Sequence, residues 1–250
     1  MLQASSDHAR QRQRLAAATI RAAALAWASV APDSIDATWQ GPSRRLVATI
    51  ALLQRRAATE GVGYIAAALA EQNVTADPVA EVVTSRLAGV ASDGRTLSGL
   101  LDQPAIRTKR LLSDGMEPVD ALAAGGRNLR MLAVTQVQDA GRTAESLAIV
   151  ARRDVNWVRR LRGPSCSRCA VLADKTFRWN TGFARHPGCD CYHEPALRNG
   201  AATPGEGDGL RVAGTSSRDG RVMPEQLYAA ADGSRERAVD ALVRVGFLQT

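Results

Sequence analysis

The sequence predicts a mainly α protein: a helical N-terminal region, then a small zinc-stabilised β knuckle, a flexible linker and a C-terminal helix. Three observations carry that prediction. Apolar residues recur at helical spacing through residues 7–152. All four cysteines fall within 166–191. Residues 198–221 are rich in Gly, Ser, Thr and Pro, the composition of a flexible linker. The boundaries follow as 1–154, 155–197, 198–222 and 223–250.

The bulk composition fits. Hydrophobic residues are 45% of 250, enough for a core, while aromatics are only 4% and alanine is frequent. A helical core packed through small side chains is expected. Net charge is +7, nearly all from arginine, with lysine only at Lys109 and Lys175. Arginine makes planar, multidentate contacts with phosphate and carboxylate. The balance suits nucleic acid or an acidic partner, or else describes a solvated basic face. No apolar run reaches membrane-spanning length, so no membrane partner is expected. Residues 15–31 follow Arg10, Arg12 and Arg14 much as a signal peptide would. Arg21 interrupts the stretch, and its apolar content is alanine more than leucine, so it reads as an amphipathic helix.

Taken in order, Asp7 caps a first helix that runs to about Val30 and ends at Pro32. Residues 32–42 form a loop bearing Trp39. Pro42, a residue favoured at the first helical position, opens a second helix with Leu46, Ile50 and Leu53 on one face. Gly61 and Gly63 break or kink it, and 64–71 continue as a helix. Asp77-Pro78 marks another helix start, followed by an apolar stripe at Val79, Val82, Val83, Leu87 and Val90. Residues 92–118 hold short helical pieces. Gly125-Gly126 is a break, and a long helix follows from Arg127 to about Arg152; Gly141 within it costs roughly 1 kcal/mol relative to alanine. Strands are expected at 155–161 and 176–179, with a turn at 180–182 and a return over 186–193. This segment has few apolar residues, so metal would carry its stability; structural zinc supplies roughly 10–16 kcal/mol in small peptides. Pro224 opens a last helix, whose apolar face needs a partner surface in this chain or another.

Cys166 and Cys169 form C-x2-C, which on a tight knuckle points two thiolates at one centre. Cys189 and Cys191 form C-x-C and face one side of an extended chain. Zinc takes four N/S ligands in a tetrahedron, so the two pairs together make a complete set. His186, at H-x2-C, and His193, at C-x-H, are rival fourth ligands; three cysteines with His186 is the main competing set. The bland alternatives are two disulfides or free buried thiols. Disulfides suit small secreted domains, and Cys189 and Cys191 are too close to pair comfortably with each other.

This segment resembles the C-terminal motif of the phage Mu F-like head morphogenesis proteins, a family of minor capsid proteins. The matching residues are Cys166, Cys169, Leu172, Phe177, His186, Pro187, Cys189 and Cys191, after a helical N-terminal part. Arg142-Thr143-Ala144-Glu145 resembles an Arg-Thr-Glu element of some members, with one residue inserted. The chain departs from the pattern at Ala173-Asp174, where the family has Asp-Gly, and at Asp190, often arginine. The resemblance covers about thirty residues. It implies a protein present in a few copies per virion, inside the capsid near the portal, assembled in the host cytoplasm. The implied partners are the portal or major capsid protein, and nonspecific DNA.

Three functions compete. A minor capsid component would hold a closed, structural zinc; Arg159, Arg160, Arg162, Arg168, Lys175, Arg178 and Arg185 would meet DNA or offset the thiolate charge. A nucleic-acid-binding zinc module of a regulatory protein needs a helix entering a groove, and none is expected soon after Cys191. A zinc enzyme needs elements this chain lacks: there is no H-x-E before P-C-x-x-C and no H-E-x-x-H. A zinc-braced nuclease using His186 or His193 is the remaining enzymatic option. The reading is therefore a non-enzymatic structural protein.

Overall fold

The structure is a computed structural model describing residues 2–161, 167–183, 185–186, 189–197 and 223–250, apart from the side chains of Arg168 and Ala229. The expected linker at 198–222 lies outside the described residues, as does Cys166.

Helix α1 spans Gln3–Trp27 and α2 spans Ile35–Glu71. The orphan amides at the start of α1 are met by the end of α2: the Glu71 carboxylate accepts from the Gln3 and Ala4 amides at 2.7 and 2.8 Å. Asp7 therefore lies inside the helix rather than capping it. Helix α2 also begins earlier than expected and carries Pro42 in its interior. A proline there removes a backbone bond at a cost of about 3 kcal/mol. The turn before it is held by burial of Ile35 and Trp39, and the Trp39 indole donates to Asp102 at 2.9 Å.

After α2 comes β1 (Glu81–Val82) and a 3-10 turn at Thr84–Leu87, not the helix expected after Asp77-Pro78. Strand β1 pairs antiparallel with β5 (Leu248–Gln249) at the other end of the chain. Short helices α3 (Leu97–Leu101) and α4 (Gln103–Ser113) lead to α5, Pro118–Val150. Helix α5 passes through Gly125-Gly126 without a break. A Cβ at Gly125 would lie 2.5 Å from the Trp27 ring and one at Gly126 2.8 Å from it, so the glycine pair makes the seat for that indole. Similarly, a Cβ on Gly61 would approach the Gly141 carbonyl oxygen to 2.9 Å. Both glycines serve the close crossing of α2 and α5. Helix α1 runs antiparallel to α5, with His8 against Glu145 at one end and Trp27 donating to the Leu122 carbonyl at the other.

Strand β2 (Val155–Arg160) is central in an antiparallel sheet of order β3-β2-β4, with β3 at Thr176–Phe177 and β4 at Tyr192–Leu197. Helix α6 (Ser167–Leu172) lies between β2 and β3. Trp157 sits opposite Phe177 on one side and Pro195 on the other. The chain closes with α7 (Pro224–Ala229), α8 (Arg235–Arg244) and β5.

One core lies at the end of the bundle around Trp27, Trp39, Leu46, Ile50, Leu101 and Leu129. The other joins the far ends of α2 and α5 to the sheet and to the C-terminal elements: Ile65, Leu147, Ile149, Trp157, Phe177, Leu242 and Phe247 belong to it together. The β segment is thus less poor in apolar contact than expected. Its tryptophans and phenylalanines pack into the shared core, and the final helix finds its partner surface in this chain. The many alanines act as foreseen: Ala23, Ala58, Ala68, Ala133, Ala144 and Ala148 are fully buried and let helices approach closely.

Candidate metal centre

Three buried thiols converge where the sheet meets α5. Helix α6 presents Cys169, while Cys189 and Cys191 lie in the segment leading into β4. Their sulfur atoms all lie within 4.8 Å of one another. Cys169 Sγ is 3.6 Å from Cys189 Sγ and also 3.6 Å from His186 Nε2. A disulfide needs about 2.05 Å, so the disulfide alternative is not met here: all three cysteines are free thiols. A tetrahedral zinc with bonds of about 2.3 Å to sulfur and about 2.0 Å to nitrogen separates its ligands by about 3.5–3.8 Å. The observed spacings match that edge length, so these donors fit a metal ion.

The two histidines part company. His186 lies beside Cys169. His193 points elsewhere: its Nδ1 is 2.9 Å from Glu145 Oε2 and its Nε2 is 3.1 Å from Ser146 Oγ. Its ring is enclosed by Trp157 and Phe183.

Helix α5 supplies the support. Arg142 donates from Nε to the Cys191 carbonyl at 2.8 Å and from a terminal nitrogen to the Cys189 carbonyl. It also donates to Asp139 at 3.0 Å. Asp139 is shared with Arg185, at 2.6 Å. Arg12 of α1 adds a longer bond, 3.3 Å, to the Cys191 carbonyl. One turn on, the fully buried Glu145 gathers His8 at 3.0 Å, Arg12 at 3.4 Å and both the ring and the backbone amide of His193.

The electrostatics follow from these contacts. Burial pushes the Glu145 carboxyl up, but His8, His193 and Arg12 outweigh it and hold the group well below the usual carboxylate range. Burial, then the neighbouring Arg142, lowers Arg12 to about 10. A hydrogen bond from Cys191 outweighs burial, and with the Arg142 charge it pulls the Cys189 thiol down to about 4. Cys191 is pushed up by the same shared bond and by burial. The two thiols thus share a hydrogen-bonded proton and titrate as a pair. A bound cation would displace it, since a coordinating thiol is deprotonated.

Ser146, His193 and Glu145 stand in the hydroxyl–imidazole–carboxylate order of a hydrolase triad. All three are buried, Glu145 and His193 completely. A cavity of about 490 Å³ opens between α2, the 3-10 turn, α5 and the C-terminal elements, and it is lined by neither Ser146 nor His193. Here the arrangement fixes the entry of β4 against α5.

Comparison with known protein families, characterised proteins and solved structures yields no match.

The sequence places seven basic residues around the knuckle, to meet DNA or to offset the thiolate charge. Of those described, Arg160 pairs with Glu194 and Asp174, Arg185 pairs with Asp139, and Arg159 is buried over the Phe183 ring. The residues reasoning undervalued are His8, Arg12, Asp139 and Arg185; Arg142 and Glu145 had been singled out only by resemblance. A signal was present: Gln136, Asp139, Arg142 and Glu145 recur every three positions through an otherwise alanine-rich helix, a polar stripe that a buried helix carries only where it meets polar partners. No helix among the described residues is long and apolar enough to cross a membrane.

Proposed function

We propose that this chain is a minor capsid protein of a phage head, built around a closed structural zinc centre. The observation that carries this reading is the convergence of Cys169, Cys189 and Cys191, with His186 beside Cys169, into one buried cluster braced by Arg142. That is the motif in which the chain resembles the Mu F-like proteins, together with the Arg142–Glu145 element that accompanies it. Zinc suits the site because thiolates at tetrahedral spacing favour it over harder cations. Cys169, Cys189 and Cys191 would hold it, with Cys166 or His186 as the fourth ligand. The ion would act as a staple between α6, the strand segment and, through Arg142, the helical bundle. A structural rather than catalytic role is favoured by the burial of all three thiols. The regulatory alternative is disfavoured because a strand, β4, follows Cys191 where a groove-reading helix would be needed. Contact with packaged DNA would be nonspecific and fall steeply with salt.

Two measurements test the reading. Elemental analysis of reduced protein purified with metal available should give about one zinc per chain, from the tetrahedral stoichiometry of such sites. Quantitative mass spectrometry of purified heads should find the chain at a small fraction of the major capsid protein. Its absence from empty heads, mature heads and assembly intermediates alike would remove the capsid assignment.

A further inference from the structure

We infer that Arg142 is the positioning residue of the metal centre: from α5 it grips the carbonyls of Cys189 and Cys191 and fixes the spacing of their thiolates before an ion binds. The inference rests on reading the thiol cluster as a metal site and adds the device that shapes it. Two cysteines separated by one residue share a direction only where the chain between them is held extended, because the φ and ψ angles there are otherwise free to turn. In this molecule both flanking carbonyls are tied to one planar group. Arg142 Nε meets the Cys191 oxygen at 2.8 Å, and a terminal nitrogen meets the Cys189 oxygen. The guanidinium is itself immobile: it is buried, bonded to Asp139 at 3.0 Å and to Gln138 at 3.3 Å.

The brace continues beyond the C-x-C pair. Asp139 also holds Arg185 at 2.6 Å, and Arg185 directly precedes His186. One carboxylate on α5 therefore links the cysteine pair to the segment carrying the possible histidine ligand. The charge has the sign the site needs, since thiolates bring net negative charge into a buried region and Arg142 brings the balancing cation. Lysine cannot replace it: an ammonium is a point donor without the planar fork that spans two carbonyls.

The test uses the full chain loaded with zinc. Zinc affinity is measured by competition with a chromophoric chelator, and site geometry by the absorption bands of the cobalt(II)-substituted protein. Arg142→Gln and Arg142→Lys should each weaken zinc about 10–100-fold, the range found for partners that orient metal ligands. The cobalt bands should shift in both. Gly125→Ala, at the far end of the bundle, serves as the control: it should lower the thermal midpoint and leave zinc affinity unchanged. Should neither Arg142 variant fold, the wild-type chain carries the test, because the Arg142 Nε–H resonance should move when zinc is added to stripped protein. Unchanged affinity in the folded variants, or a stationary Nε–H resonance, overturns the inference while leaving the zinc centre standing. Failure of the wild-type chain to bind zinc overturns both.

Discussion

At the scale of single residues, the centre depends on donors from one short segment and on supports that α1 and α5 bring from distant parts of the chain. Cys169 contributes a thiol within 3.6 Å of both Cys189 Sγ and His186 Nε2. Cys169→Ser should lose zinc under chelator competition while far-ultraviolet circular dichroism keeps most of its helical signal, since α1, α2 and α5 also pack in a core away from the site. Glu145 sets the acid response. Its carboxyl is depressed in the folded chain, so the stability it contributes is complete above its unfolded pKa of about 4.3 and is lost as the pH falls through the lower folded value. Glu145→Gln should lower the thermal midpoint at pH 7 and flatten its decline between pH 5 and pH 3. Working in excess chelator keeps metal release out of the comparison. An unchanged acid limb would show that other carboxylates dominate it.

At the scale of elements, identical substitutions should have opposite signs. Gly63 lies on the exposed face of α2 with nothing within 4 Å of an added Cβ. Gly63→Ala should stabilise by about 0.5–1 kcal/mol, the helix-propensity difference. Gly125 sits on the seat of Trp27, where an added Cβ would also meet Thr108 Oγ1 at 2.1 Å. Gly125→Ala should destabilise by about 1–3 kcal/mol through overpacking, despite the same gain in propensity. Urea unfolding of the two variants checks both signs. Two destabilised variants would mean that α2 near Gly63 packs against something more than solvent.

At the scale of the whole molecule, the C-terminal segment belongs to the fold. Leu242 is fully buried in the core that also holds Leu147 and Trp157, and β5 supplies the only strand paired with β1 among the described residues. Leu242→Ala should cost about 2–5 kcal/mol, the range for truncating a buried leucine. The loss should appear as a lower urea midpoint in one transition, not as early release of the tail. Deleting residues 223–250 should likewise destabilise the chain as a whole, because the apolar face of the last helix is packed into the core of this chain. Limited proteolysis that trims these residues and leaves a stable remainder would contradict this.

Helical character, the strand at 155–160 and the zinc-like spacing of cysteines were legible because each is a local pattern: 3.6-residue periodicity, alternation, and fixed ligand intervals. The punctuation was less reliable. Pro42 read as a helix start, and Gly61 and Gly125-Gly126 as breaks, yet all lie inside helices; at the glycines a neighbouring tryptophan or helix backbone occupies the space a side chain would need. Val82 read as part of a helix and became a strand because its partner, Leu248, lies at the other end of the chain. The ligand types were written in the sequence, but only the tertiary structure separated His186 from His193, since both sit near a cysteine and the difference is made by Glu145 and Ser146 on α5. The same holds for Arg142. Its position in the chain is far from every cysteine, and its role arises only when α5 is laid across the entry to β4, where buried carbonyls need donors and thiolates need a cation.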